Sequence, residues 1–310
     1  MNKQILRYSL VVFLVSAFLF SCQKDTKKDN TNFDTEATDQ SDDQNQFAAQ
    51  IDATSNETNA VLEASGTLAA KGEEVQGVVC NATVVVDSAN ATRTITITYN
   101  GADCLNGFTR TGTVLVSIPS GVHWKNAGAA ITVQYQNVVV KRISDNKSIT
   151  INGSHVITNV SGGLLINLPN LTSITHTITS DGMTVTFPNG MQRTWKVAKQ
   201  RVFTYSGGVV ITTTGLHIDG AVSGIAEWGT NRYGRSFTSI ITKPLVIKQD
   251  CSFRLTSGEI KHVVPVFTAT ATFGLNANGE ATTCPGTGHY YCKVLWVGAG
   301  GNSHTVIFPY

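Results

Sequence analysis

The run 193–205 reads Arg193-Thr-Trp195-Lys-Val197-Ala-Lys199-Gln-Arg201-Val-Phe203-Thr-Tyr205. In a strand its odd positions share one face, which sets Arg193, Lys199 and Arg201 beside Trp195, Phe203 and Tyr205. Cations next to aromatic rings suit acidic glycans, lipid phosphates or an acidic protein surface. The same pattern suits a partly buried edge strand whose Lys and Arg discourage edge pairing. Arg232 and Arg235, at the loop 229–234, are the next candidates for an exposed contact.

Acid–base chemistry has one candidate pair, Glu227-Trp228, an acid beside a ring that could stack on a sugar. Glycoside hydrolysis needs two carboxylates flanking the bond, and an ordinary strand-end Glu beside a core Trp is the favoured reading of these two residues. Asp181 and Asp219 each precede a Gly, where turn formation already explains an Asp. Seven histidines (123, 155, 176, 217, 262, 289 and 304) show no paired metal spacing. There is no Gly-x-Ser-x-Gly, His-Glu-x-x-His, Cys-x-x-Cys, phosphate loop or EF-hand loop. No catalytic residue, metal or cofactor is therefore expected.

The elements that must position these residues are strands. Forty of the 310 residues are Thr, hydrophobic residues make up 41% and charged residues only 14%. That composition excludes a disordered chain, a coiled coil and a basic nucleic-acid binder, and it favours β-structure. Period-2 alternation recurs at Thr94–Tyr99, Thr113–Ile118, Ile131–Val139 and Ile174–Ile178. Seven Asn-Gly or Asp-Gly pairs punctuate the runs, as tight hairpins require. The clearest hairpin is expected at Asp181-Gly182, with Pro188-Asn189-Gly190 turning the chain again. The expectation is an all-β antiparallel meander, whether sandwich, barrel-like or open sheet.

The N-terminus carries an address. Lys3 and Arg7 precede the apolar run Tyr8–Phe20, which is shorter than the ~20 residues of a membrane span. It ends in Leu19-Phe20-Ser21-Cys22, which resembles the lipobox of bacterial lipoproteins and implies acylation of Cys22 after removal of residues 1–21. The Gln23-Lys24-Asp25 triplet resembles the start of the surface-export signal of Bacteroidota lipoproteins. Residues 22–65 hold three Lys against ten Asp or Glu, and residues 66–310 hold 18 basic against 11 acidic residues. The acidic part is expected to be a flexible tether, with one short helix over 44–64, ahead of a β-rich body from 66 to 310.

The body echoes itself. Thr94–Tyr99, Gly101 and Cys104 parallel Thr268–Phe273, Gly274 and Cys284, and an earlier cysteine, Cys80 or Cys251, precedes each. Two related halves, 66–206 and 207–310, are suggested, with Ser206-Gly207-Gly208 as the seam. With Cys22 acylated, the symmetric expectation is Cys80–Cys104 and Cys251–Cys284, leaving Cys292 free and buried. A local Cys284–Cys292 clasp and five reduced thiols are the alternatives.

The order Tyr99-x-Gly101, Cys104, Gly107, Arg110-x-Gly112, Trp195, Gly229-Thr-Asn231-Arg-x-Gly234, Phe237, Pro244-Leu245, Cys251, Phe273-Gly274 and Cys284 resembles a group of Bacteroidota lipoproteins of uncharacterised function. The resemblance spans 75–310 and implies secretion, lipidation and a β-rich body; Cys292 departs from it. The sequence thus points to a lipid-anchored envelope protein of the outer membrane, surface-exposed or periplasm-facing. Its expected partners are the membrane, through the anchor, and a glycan or envelope protein, but not nucleic acid. A binding, adhesion or structural module is expected, with a carbohydrate-active hydrolase on a β-sandwich as the alternative.

Overall fold

A computed structural model describes residues 31–65, 73–74, 79–88, 92–103, 107–285 and 288–310. Among the described residues one long helix, α1 (Thr31–Ser65), is followed by sixteen strands. The first eight are β1 (Glu73–Glu74), β2 (Ala82–Asp87), β3 (Arg93–Asp103), β4 (Phe108–Ile118), β5 (Ala129–Arg142), β6 (Ser148–Asn159), β7 (Ile174–Thr186) and β8 (Gln192–Tyr205). The rest are β9 (Val209–Gly215), β10 (His217–Asp219), β11 (Val222–Thr230), β12 (Ser236–Lys248), β13 (Arg254–Val264), β14 (Phe267–Leu275), β15 (Tyr291–Gly298) and β16 (Ser303–Pro309).

All sixteen strands belong to one antiparallel sheet, in the order β1 to β8, then β11 to β16. β9 and β11 lie end to end between β8 and β12. β8 pairs with β9 through Lys199–Tyr205 and with β11 through Thr194–Val197, and β12 repeats the arrangement on the other side. These pairings close a small ring, and residues 216–224 form an excursion from the shared rung. The seam expected at Ser206-Gly207-Gly208 is the turn joining β8 to β9, so 66–206 and 207–310 share one sheet.

Strict alternation explains the two faces. In β8 every odd position from Arg193 to Phe203 is buried, and in β5 Ala129, Ile131, Val133 and Tyr135 are. The other face is Thr- and Ser-rich, with β-branched side chains that fit a pleated surface without demanding burial.

The expected hairpin at Asp181-Gly182 does not form. β7 runs straight through it, and a bulge between Ser180 and Met183 takes up the extra residues. Ser180 Oγ holds the bulge, donating to Ser154 O at 2.7 Å and accepting from Gly182 N at 3.2 Å. The bulge forms without a positive φ at either Asp181 or Gly182, so Asp-Gly serves a bulge as readily as a turn. Gly112 sits at another bulge, between Thr111 and Thr113 against β5, and there the backbone is left-handed: its φ is +98°, and a Cβ would lie 2.3 Å from Asn137 O. Pro188-Asn189-Gly190 is a true turn, with Gly190 N bonded to Phe187 O.

The larger correction concerns the acidic segment. From Thr31 onward it is not a flexible tether but the 35-residue α1, within which the helix expected over 44–64 falls. Its buried positions include Glu36, Gln40, Asp43, Gln44, Phe47, Gln50, Ile51, Thr54, Thr58, Val61 and Leu62. Their spacing of three to four residues is helical, but most of the stripe is polar. The partners are correspondingly polar: helix side chains pair with residues from β3 to the β11–β12 loop, and the sheet curls around them.

Candidate functional site

The six residues singled out for binding are all turned toward α1 or its neighbourhood. Arg193 is fully buried, donates to Gln44 Oε1 at 2.8 Å, and lies over the rings of Phe237 and Phe47 at 4.7 and 5.6 Å. Burial pulls its pKa down to about 10. Trp195 meets Phe47 edge-on at 4.6 Å. Lys199 ion-pairs with Glu227, which also accepts from Gln44. Burial works against the Lys199 charge, but Glu227 and, from further away, Asp52 together more than offset it, and the Lys199 pKa is raised. β8 is an interior strand, so the edge-strand reading is replaced by a buried, helix-facing one.

The loop after β11 is a clamp. Asn231 Oδ1 accepts from the backbone N–H of Tyr233 and Arg235, and Asn231 Nδ2 donates to Glu36. Arg232 pairs with Asp43 while lying 3.9 Å over the Phe187 ring, and Arg235 pairs with Glu36 at 3.1 Å. At the other end of α1, Glu57 accepts from Tyr99 Oη at 2.7 Å and from Arg110. Arg142 and Lys147 hold Asp42 between them. The residues that carried the sequence resemblance, Tyr99, Arg110 and the 229–234 loop, therefore fasten the helix. Glu227 and Trp228 face opposite sides of β11. The acid is in the interior and the ring stacks on His217 at 4.0 Å, so the two share no cleft.

Between the C-terminal half of α1 and the sheet lies a cavity of about 450 Å³, within the range of small-ligand sites. It separates the main core from a satellite cluster of Leu168, Ile174, Phe203 and Ile211. Its wall is mostly apolar: Ile131, Ile157 and Ile178 on one side, Phe203, Ile211 and Ile247 on the other, with Leu62 and Ala60 from the helix. Phe253, 53% exposed, lines it where the chain turns through left-handed φ at Ser252 and Phe253. That turn follows Cys251, which is disulfide-bonded to Cys284 with Cα atoms 5.2 Å apart.

Arg201 and His176 face each other across β7 and β8, directly paired in register, and both line the cavity. Each is more than nine-tenths buried. Among the described residues Arg201 makes one hydrogen bond, to Asn56 Oδ1 at 3.0 Å, and no carboxylate lies within ion-pairing distance. Burial lowers its pKa, and Asp52 opposes this from further away. His176 sits between Trp124 and Phe203, each ring 5.0 Å away, with Nε2 unpartnered. Burial, with Arg201 adding to it, pushes its pKa down to about 4, so the imidazole is neutral. Glu63, also in the wall, is taken up by the backbone N–H groups of Leu165 and Ile166.

No family model, curated protein or solved structure matches this chain. Function therefore rests on the geometry. Of the expected cysteines, Cys251–Cys284 is present and Cys292 is free and buried. Cys80 is disulfide-bonded, while Cys104 and the lipidation expected at Cys22 lie outside the described residues. The described His, Cys and carboxylate groups close enough to share an ion are Asp250, Cys251 and Cys284, and both sulfurs are in the disulfide. No described helix is long and apolar enough to cross a membrane. Arg201 was legible as a basic residue on an aromatic face; His176 was missed, because only the β7–β8 register brings it opposite Arg201.

Proposed function

We propose that the protein is a non-catalytic binding module of the bacterial envelope, anchored through acylated Cys22, that takes a small ligand into the cavity beneath α1. The observation that carries this reading is the pairing of an apolar cavity with Arg201, a buried guanidinium that no carboxylate among the described residues pairs with. A buried charge without a partner is costly to a fold, and a ligand that supplies the partner recovers that cost. Adhesion through an exposed basic face has less support, since those side chains are engaged by the helix. Hydrolysis has less support as well, because Glu227 is ion-paired to Lys199 and lies away from Trp228.

Two measurements test the proposal. Filling the cavity with Ile178→Trp is expected to abolish binding of an apolar fluorescent dye that the unaltered protein takes up with one-to-one stoichiometry. Dye uptake unaffected by that change places the site elsewhere. For the anchor, Cys22→Ala is expected to leave the membrane fraction; a signal-cleaved variant that still sediments with membranes contradicts it.

A further inference from the structure

We propose that the ligand of this cavity is an amphipathic monocarboxylate, its head on Arg201 and His176 and its alkyl body against Ile178, Phe203 and Ile211. The inference rests on the reading of the cavity as a ligand site and adds the chemical class.

The head follows from the cross-strand pair. Arg201 presents a planar fork of five N–H donors, of which Asn56 accepts from one nitrogen. A carboxylate matches that fork in two parallel bonds, stronger than neutral hydrogen bonds. Residues directly opposite on neighbouring strands have Cβ atoms about 5 Å apart, so the free Nε2 of His176 lies on the same small patch of wall. A neutral imidazole adds a hydrogen bond and no charge. The head site therefore carries one positive charge, which one carboxylate neutralises. A phosphate dianion would leave a surplus charge in an apolar cavity, which is strongly unfavourable. A neutral head would leave Arg201 as it stands.

The body follows from the wall. Beyond Arg201 and His176 the sheet offers branched aliphatic and aromatic side chains, which reward removal of apolar surface from water by about 25 cal/mol per Å². Trp124, held by its Nε1 bond to Asn59 at 3.0 Å, closes the side next to His176. Phe253 marks the exposed rim.

Calorimetric titration of the full chain carrying Cys22→Ser, which removes the acylation site and keeps every described residue, decides the matter with decanoate, decanol and decyl phosphate. Decanoate is expected to bind at least tenfold more tightly than decanol. Arg201→Gln should erase that preference through a loss of at least tenfold in decanoate affinity, and Arg201→Lys should retain part of it, which guards against a variant that merely misfolds. Equal affinities for decanoate and decanol overturn the carboxylate head and leave the cavity reading standing. Tighter binding of decyl phosphate overturns the monocarboxylate assignment in favour of a phosphate head. Binding of none of the three overturns the cavity reading itself.

Discussion

Glu57 on α1 and Arg110 on β4, 53 residues apart, meet through both guanidinium end nitrogens, with Nη1 at 3.0 Å from Oε2. Tyr99 completes the group, its hydroxyl on the same carboxylate and its ring 4.3 Å below the guanidinium. Removing one partner strands the other in a largely buried position. Arg110→Ala is expected to destabilise the protein by roughly 2–3 kcal/mol in urea unfolding, somewhat below a fully buried pair because Glu57 keeps some contact with water. The double change Arg110→Met with Glu57→Leu should cost less than Arg110→Ala. A double variant weaker than the single one contradicts this account.

Two buried histidines, His155 and His176, and the half-buried His262 have pKa values pushed down to about 4, by desolvation first in each case. An unfolded chain protonates them near pH 6.5. Between about pH 6.5 and 4 the unfolded state therefore binds more protons than the folded one, so stability falls as pH falls through that window. Thermal unfolding should show a clearly lower Tm at pH 5 than at pH 7.5. Equal values would show that these rings take up protons in place.

Cys292 is buried and its thiol is pushed up to about 12 by burial. The thiolate is the reactive form. Iodoacetamide should leave Cys292 unmodified in the folded protein at pH 8 and alkylate it in guanidinium, as read by mass spectrometry of the 289–297 peptide. Rapid labelling of the folded protein contradicts the burial.

Gly112 combines φ +98° with the close approach of Asn137 O. Gly112→Ala is expected to destabilise by more than ~1 kcal/mol, because positive φ and steric overlap add. Gly121→Ala, where nothing lies within 4 Å of the added carbon, serves as the comparison at a similar φ.

The strands were legible because Thr, Val and Ile alternate within each one, a local signal. The bulge at Asp181-Gly182 was not, because Asp-Gly before an apolar run has the same local chemistry in a hairpin and in a bulge. Only pairing with Gly153 and Ser154 on β6 distinguishes them. The helix was legible only over 44–64, and its extension back to Thr31 and its docking were hidden for a different reason. Its buried stripe is filled by Gln40, Gln44, Thr54 and Thr58 as much as by Phe47 and Ile51, and its carboxylates answer to cations as distant as Arg235. Acidity that reads as a solvated tether is here one half of a charge-matched interface. The basic face of β8 was visible, but its occupant was not.

The hydrogen bonds of α1 reach across 149 residues from Gln44 to Arg193 and 199 from Glu36 to Arg235. Synthesis runs from the N-terminus, so the segment that fills the trough is made before most of the trough exists. A strongly apolar helix would spend that interval seeking any greasy surface, including another chain's. The segment 31–65 carries eight carboxylates and no cation, and water is a good solvent for it. The polar stripe that makes the interface demanding in the finished fold makes the segment patient during biogenesis: it holds out for partners that only β8, β11 and β12 bring.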